Sequence, residues 1–255
     1  MSFDVAAESY DRFMGRFSTQ LAAPFADFAG VSSGQRVLDV GCGPGALTTE
    51  LVARLGVDAV TAIDPSEPFV EAARERHPGV RVERGAAERL PFADGEFDAA
   101  LAQLVVHFMD DPVAGLREAG RVTRDGGVVA ACVWDHGGSR GPLSLFWEGA
   151  RSVDPELTGE ADLAGASEGQ LGELFAAAGL TGAEETALTV AREYESFDEW
   201  WEPYTLGVGP AGGYVARLDA EKRDRVREAC RSLLPPAPFT IEAYAWTARA
   251  STTSP

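Results

Sequence analysis

The run Val37-Leu38-Asp39-Val40-Gly41-Cys42-Gly43-Pro44-Gly45 constrains this chain more than any other segment. Its first four residues suit a buried strand, an acid stands inside that strand, and a glycine turn follows. Ala46 and Leu47 then open a helical pattern. A strand, a glycine turn and a helix in that order mark the place where an open α/β sheet receives a ligand, because glycine admits positive φ and lets the backbone come close. Gly41, Gly43 and Ala46 also satisfy the looser G-x-G-x-x-G/A dinucleotide pattern. Asp39 separates the two readings. A pyrophosphate brings negative charge to the turn and meets a carboxylate there, whereas an α-amino acid head group offers that carboxylate an ammonium. S-adenosylmethionine carries such a group at one end.

The next residues repeat the strand and helix alternation. Residues 59–63 read as a second short buried strand ending at Asp64, roughly twenty residues past the turn, where an acid suits ribose hydroxyls. Ser66 can cap the helix that follows, and Glu67 favours its first turn. A third strand is predicted over 80–83. It leads into Gly85-Ala86-Ala87-Glu88-Arg89-Leu90-Pro91-Phe92, whose small residues leave room for a flat purine. A fourth strand spans 97–103, with Gln103, Leu104 and His107 at or beyond its carboxyl end. Asp111-Pro112 is a cap followed by a first-turn proline, so a helix should run to about Thr123. Gly126-Gly127 then turns the chain into a fifth strand over 128–134. Five alternations of this kind build a parallel, doubly wound sheet.

Taken together, these residues resemble class I S-adenosylmethionine-dependent methyltransferases of the small-molecule kind, most strongly over 36–134. The family's V-L-D-V-G-C-G-P-G stands unaltered at 37–45, and R-V-x-R-x-G-G stands at 121–127. The resemblance implies a Rossmann-like sheet of seven strands with the last antiparallel. It also implies that Asp39, Gly41, Cys42 and Gly43 hold the methionine end and Asp64 and Pro65 the ribose. Ala86, Ala87 and Glu88 would then border the adenine, with Gln103 and Leu104 beside the reacting group. Where the family often has an acid at the adenine amino group this chain has Ala86, so backbone or Glu88 must make that contact.

Charge and composition narrow the partners. The chain has 255 residues, 45% of them hydrophobic, and a formal net charge of −18. That is enough apolar residue for a full core, and one domain over 1–255 is expected: a helical segment over 1–35, a cofactor-binding core over 36–134 and a substrate-side half over 135–255. Nucleic-acid binding normally needs a basic stripe, which an acidic chain lacks. The D/N-P-P-aromatic signature of amino-methylating DNA enzymes is also missing after the fourth strand, where Gln103-Leu104-Val105-Val106-His107 stands. No apolar stretch of spanning length and no signal-like run at the N-terminus is present, so a cytoplasmic location is expected. Cys42, Cys132 and Cys230 lie far apart without metal-ligand spacing and read as reduced thiols, with no metal expected. A single lysine, Lys222, amid many arginines points to a bacterial genome of high GC content.

The second half should hold the acceptor. A helix is expected around 143–153, another after a Ser167/Gln170 capping box, a sixth strand over 184–194 and a seventh over 239–248. Between these strands an insertion at about 196–238 carries Trp200, Trp201 and Tyr204, a glycine-rich hinge over 207–213 and a charged helix over 218–233. Its aromatic residues are candidates for a cap on the acceptor, or simply for packing the insertion onto the sheet. At the other end, Tyr10, Phe13, Met14, Phe17, Leu21 and Phe25 recur at helical spacing. In the resembled family this helix closes over the cofactor, which makes Tyr10 and Arg16 candidate contacts.

Methyl transfer asks for positioning, and an acceptor that must lose a proton also asks for a base. His107 is the candidate base. His136 is a weaker one, and His77 reads as structural. Two other functions stay open from sequence: a nicotinamide oxidoreductase, disfavoured by Asp39 and lacking a Y-x-x-x-K signature, and a cofactor-binding homologue without transfer activity.

Overall fold

The computed structural model describes residues 7–252; the extreme ends of the predicted 1–35 and 135–255 segments lie outside them. Seven strands form one sheet: β1 Val37–Val40, β2 Val60–Asp64, β3 Arg81–Arg84, β4 Phe97–Gln103, β5 Thr123–Trp134, β6 Glu184–Tyr194 and β7 Phe239–Ser251. Their order is β3-β2-β1-β4-β5-β7-β6. Strands β1 to β5 pair in parallel, and β7 runs antiparallel to both β5 and β6. The chain winds outward from β1 to β3, then returns to place β4 on the other side of β1. The carboxyl ends of β1 and β4 therefore bound the topological switch point, where such sheets open a crevice.

Ten helices cover the sheet among the described residues: α1 Ala7–Tyr10, α2 Arg16–Phe28, α3 Ala46–Leu55, α4 Glu67–Arg76, α5 Pro112–Val122, α6 Ser144–Val153, α7 Gln170–Ala177, α8 Phe197–Trp201, α9 Gly209–Arg217 and α10 Ala220–Leu233. Both sheet faces are buried, as parallel strands require. On one face Leu21, Phe25, Leu51 and Phe146 pack with Trp134; on the other Leu38 and Ile63 pack with Leu116, Leu171 and Phe175. No helix of the described residues is long and apolar enough to cross a membrane.

Local expectations fail in three places, each for a packing reason. Strand β5 begins at Thr123, not Val128, because the turn is absorbed as an irregularity in its pairing with β4 between Phe97 and Ala99. The supposed hinge at 207–213 mostly belongs to α9. Gly212 there is a close-packing glycine, since a Cβ would lie 2.7 Å from the Gly207 carbonyl carbon. The Ser167/Gln170 capping box forms only by half: the Gln170 amide oxygen accepts the Ser167 N–H at 3.2 Å, but the cap residue is Gly169 at φ 82°.

Candidate functional site

A cavity of about 450 Å³ lies at the carboxyl ends of β1, β2 and β4. Its walls include most of the predicted cofactor residues: Tyr10, Asp39, Gly41, Cys42, Gly43, Asp64, Pro65, Ala86, Ala87, Glu88, Gln103 and Leu104. Gly41 takes φ 69° and passes so near β4's exit that a Cβ would lie 2.3 Å from Val105 Cγ2, so no other residue fits there.

The glycine turn does not present its amides to a ligand, as its composition alone suggests. Gly41 and Cys42 donate to the Ile63 carbonyl at 2.8 and 3.0 Å, and Gly45 donates to that of Cys42 at 3.0 Å. Gly43 donates to Asp64 Oδ2 at 2.9 Å. With these donors committed internally, the turn itself offers an anion little, and among the described residues only the first-turn amides of α3 stay free on that side.

What the cavity does present is unsatisfied acceptor oxygen. Asp39 is 1% exposed; its Oδ2 accepts from the Thr48 hydroxyl at 2.7 Å, while Oδ1 has no partner. Burial raises its carboxyl to about 7; the Thr48 hydrogen bond opposes the shift and the charge of Asp64 adds to it. Gln103 donates through Nε2 to the Ser18 carbonyl at 3.0 Å. A carbonyl can only accept, so this bond fixes which way the amide points, and Oε1 is left buried without a partner. Two buried unpaired acceptors in one cavity are costly unless a donor-rich group satisfies them, and an ammonium, with three donors, fits. Leu104 follows at φ 61°, a left-handed conformation rare for leucine that marks the end of β4 as strained.

Charge points the same way. Asp39, Asp64, Glu88 and Asp110 line the cavity against one base, Arg84, which is itself paired with Glu67 at 3.2 Å. Asp64 accepts from Gly43 and Ser66 backbone groups, the latter at 2.8 Å, so each oxygen keeps lone-pair capacity for a further donor; burial raises its pKa. Glu88 Oε1 accepts the Asp111 N–H at 3.3 Å, which ties the adenine-side segment to the start of α5. Burial pushes the Cys42 thiol pKa well up, so a small neutral group occupies that wall.

The N-terminal segment closes one side. Tyr10 packs edge-on against Phe69 with ring centroids 5.2 Å apart. A single π-helical turn, Asp11–Gly15, joins α1 to α2, a feature often found at functional sites. Asp11 forms an ion pair with Arg76, which also donates to the Pro44 carbonyl of the glycine turn at 3.1 Å. Ser18, which the sequence did not mark, lines the cavity and orients Gln103; Thr48 was likewise missed, and only its helical spacing from the turn could have suggested it.

Other candidates stand elsewhere. Arg16 does not line this cavity: it reaches the Glu199 carbonyl at 3.5 Å and the Tyr194 ring at 5.7 Å. Trp200, Trp201 and Tyr204 are buried and also absent from its walls. Tyr204 stacks on Phe146 at 4.4 Å and meets Phe13 at 5.4 Å, so they fill an aromatic core between the insertion and the N-terminal segment. His107 sits on a one-turn 3-10 helix over Val106–Phe108. It lies behind the cavity wall, its ring 3.9 Å from that of Phe108, which does line it. Its Nδ1 is buried and unpartnered, and burial followed by the proximity of His136 pushes its pKa well down. Cys42, Cys132 and Cys230 are free and buried.

A doubly wound sheet with an antiparallel seventh strand, opening at β1 and β4 onto an acid-lined pocket, is the arrangement that the resemblance to class I S-adenosylmethionine-dependent methyltransferases implies. Residues 38–131 match the methyltransferase domain family, and S-adenosylmethionine is the cofactor of this domain. A demethylmenaquinone methyltransferase from Beutenbergia cavernae is 43% identical over 101 residues, 40% of this chain and 41% of the relative. A malonyl-[acyl-carrier protein] O-methyltransferase from Pectobacterium atrosepticum is 37% identical over 148 residues, 58% of this chain and 56% of the relative. The chain spans about half the length of the curated relatives it matches. The crystal structure of YcgJ from Bacillus subtilis superimposes with a TM-score of 0.59 at 19% identity, covering 94% of this chain and 100% of that one. That likeness concerns the fold.

Proposed function

We propose that the chain transfers the methyl group of S-adenosylmethionine to an oxygen or nitrogen of a small, largely apolar molecule. The observation that carries this reading is the pair of buried, unpartnered oxygens, Asp39 Oδ1 and Gln103 Oε1, in the acid-lined cavity. In this reading they hold the ammonium of the cofactor, Asp64 takes the ribose hydroxyls, and Ala86, Ala87 and Glu88 flank the adenine. Tyr10 covers the site from the N-terminal segment. Bound there, the cofactor supplies an activated methyl group on a sulfonium.

The protein's own contribution is positioning. Val105, Phe108 and Met109 form an apolar wall beside Leu104 that excludes water and favours an apolar acceptor, and holding reactants in line can supply several kcal/mol. His107 braces that wall from behind Phe108 and stays neutral. Relatives named for menaquinone and malonyl-carrier substrates support a non-nucleic-acid acceptor. A nicotinamide oxidoreductase would place a pyrophosphate against four acids and a turn whose amides are committed.

Titration calorimetry with S-adenosylmethionine and with NAD tests the cofactor, and turnover on a panel of phenols, carboxylic acids and amines tests the transfer. Tighter binding of NAD would overturn the reading. Cofactor binding without turnover on any acceptor would leave a binding homologue in its place.

A further inference from the structure

A second, smaller cavity of about 100 Å³ lies past the carboxyl end of β5, lined by His136, Ser139, Ser144, Trp147, Arg151 and Glu160. The loop that shapes it is firmly built. Asp135, 1% exposed, accepts the Gly138 N–H at 2.8 Å and Arg140 Nε at 2.5 Å. Ser139 is held at φ 56°, a left-handed conformation uncommon for a residue with a Cβ. On the far wall Glu160, 3% exposed, accepts the Trp147 indole N–H at 2.7 Å.

The remaining donors have no acceptor within the protein: Ser144 and Arg151 are half-buried, and Ser139 stands exposed at the mouth. Among the described residues neither the Ser139 nor the Ser144 hydroxyl, nor the Arg151 guanidinium, has a hydrogen bond or ion pair within the protein. His136 adds a ring nitrogen to the same space. Arg151 and Glu160 line one small cavity without forming an ion pair. Donors outnumber acceptors, and a guanidinium with two hydroxyls matches a planar, two-oxygen anion.

We propose that this cavity is a carboxylate-binding site, with Arg151, Ser139, Ser144 and His136 donating to the two oxygens and Glu160 closing the wall behind them. Glu160 is compatible with an anionic ligand because burial raises its carboxyl to about 7; once protonated it becomes a further donor. The carboxylate can belong to the methyl acceptor or to a separate small acid. In the first case the site extends the proposed transfer function, because His136 meets His107 at 5.9 Å between ring centroids and His107 backs the wall of the main cavity.

Sodium acetate is the probe, followed through the Trp147 indole N–H resonance, assigned with Trp147→Phe. The expected result is a saturable shift, weakened about tenfold or more in Arg151→Gln and retained in Glu160→Gln, which keeps a donor and removes the charge. A shift that does not saturate, or one unchanged in Arg151→Gln in protein whose spectrum is otherwise native, overturns the proposal. This titration needs neither cofactor nor turnover, so its outcome is independent of whether transfer is observed. Acetate that competes with the acceptor assigns the site to the acceptor's own carboxylate; acetate that binds without changing acceptor KM assigns it to a separate acid.

Discussion

The cofactor cavity and the aromatic insertion are built on opposite plans. Around the cavity, packing stops short: Asp39 and Gln103 keep buried oxygens without partners, and Leu104 keeps a strained backbone. In the insertion, aromatic side chains fill the space, although Tyr214 Oη and Arg223 Nε there are also buried without partners. Phe197, Trp200, Trp201 and Tyr204 are each less than a tenth exposed, and Tyr204 lies nearly parallel to Phe146, at 7°. A protein interior normally satisfies its polar groups and fills its voids, so a void of about 450 Å³ that carries two unpaired acceptor oxygens is prepared for something absent from the chain itself. From sequence, tryptophans next to glycines read as a cap over the acceptor or as packing of the insertion; the fold buries them.

The sharpest way to break this contrast is Trp200→Ala. If the insertion is core, thermal or denaturant unfolding should show a loss of about 3–5 kcal/mol, with S-adenosylmethionine affinity unchanged at a temperature where the variant is folded. Full stability with a raised acceptor KM would instead make Trp200 part of a cap. The converse variant is Asp64→Ala, which should weaken cofactor binding by about 2 kcal/mol, roughly thirtyfold, in calorimetry. Part of that loss comes from releasing Gly43, so an unchanged dissociation constant would remove Asp64 from the site altogether.

Asp39 sharpens the comparison through pH. Its folded, ligand-free pKa lies near 7, and an ammonium favours the charged form. Affinity should therefore be full above about pH 7.5 and fall as pH drops through 7, by about tenfold between pH 7.5 and 6. Asp39→Asn should weaken binding by about tenfold at the upper pH and flatten the profile; a slope that survives the substitution would belong to another group. The smallest effect is expected from His107→Ala. Because His107 braces Phe108 without lining the cavity, single-turnover transfer should slow by less than about tenfold across roughly pH 6 to 10. A hundredfold loss that shrinks at high pH would make it the base.

The first half of the chain was legible because most local signals agreed with the fold. Buried strands ended where glycine turns or small residues began, Asp111 caps α5 through the Ala114 N–H at 2.9 Å, and Gly45 opens α3. Where reading failed, one residue type served two physical ends. Gly212 looks the same in sequence whether it bends a hinge or lets helix α9 touch Gly207. The hydrogen-bond state of the glycine turn was equally hidden, since whether Gly43 donates to a ligand or to Asp64 depends on β2, a strand away. Ser18 carries no motif at all; it acts through a main-chain carbonyl that any residue has.

The acidic wall of the main cavity has a consequence after the reaction as well as before it. S-adenosylmethionine enters with a positive sulfonium; its spent form, S-adenosylhomocysteine, leaves as a neutral thioether. Asp39, Asp64, Glu88 and Asp110 cannot tell the two apart by shape, but their summed field attracts one more charge in the fresh cofactor than in the used one. Under the proposed function the wall would discriminate by valence, holding the loaded donor more tightly than the by-product, and salt should erode that preference.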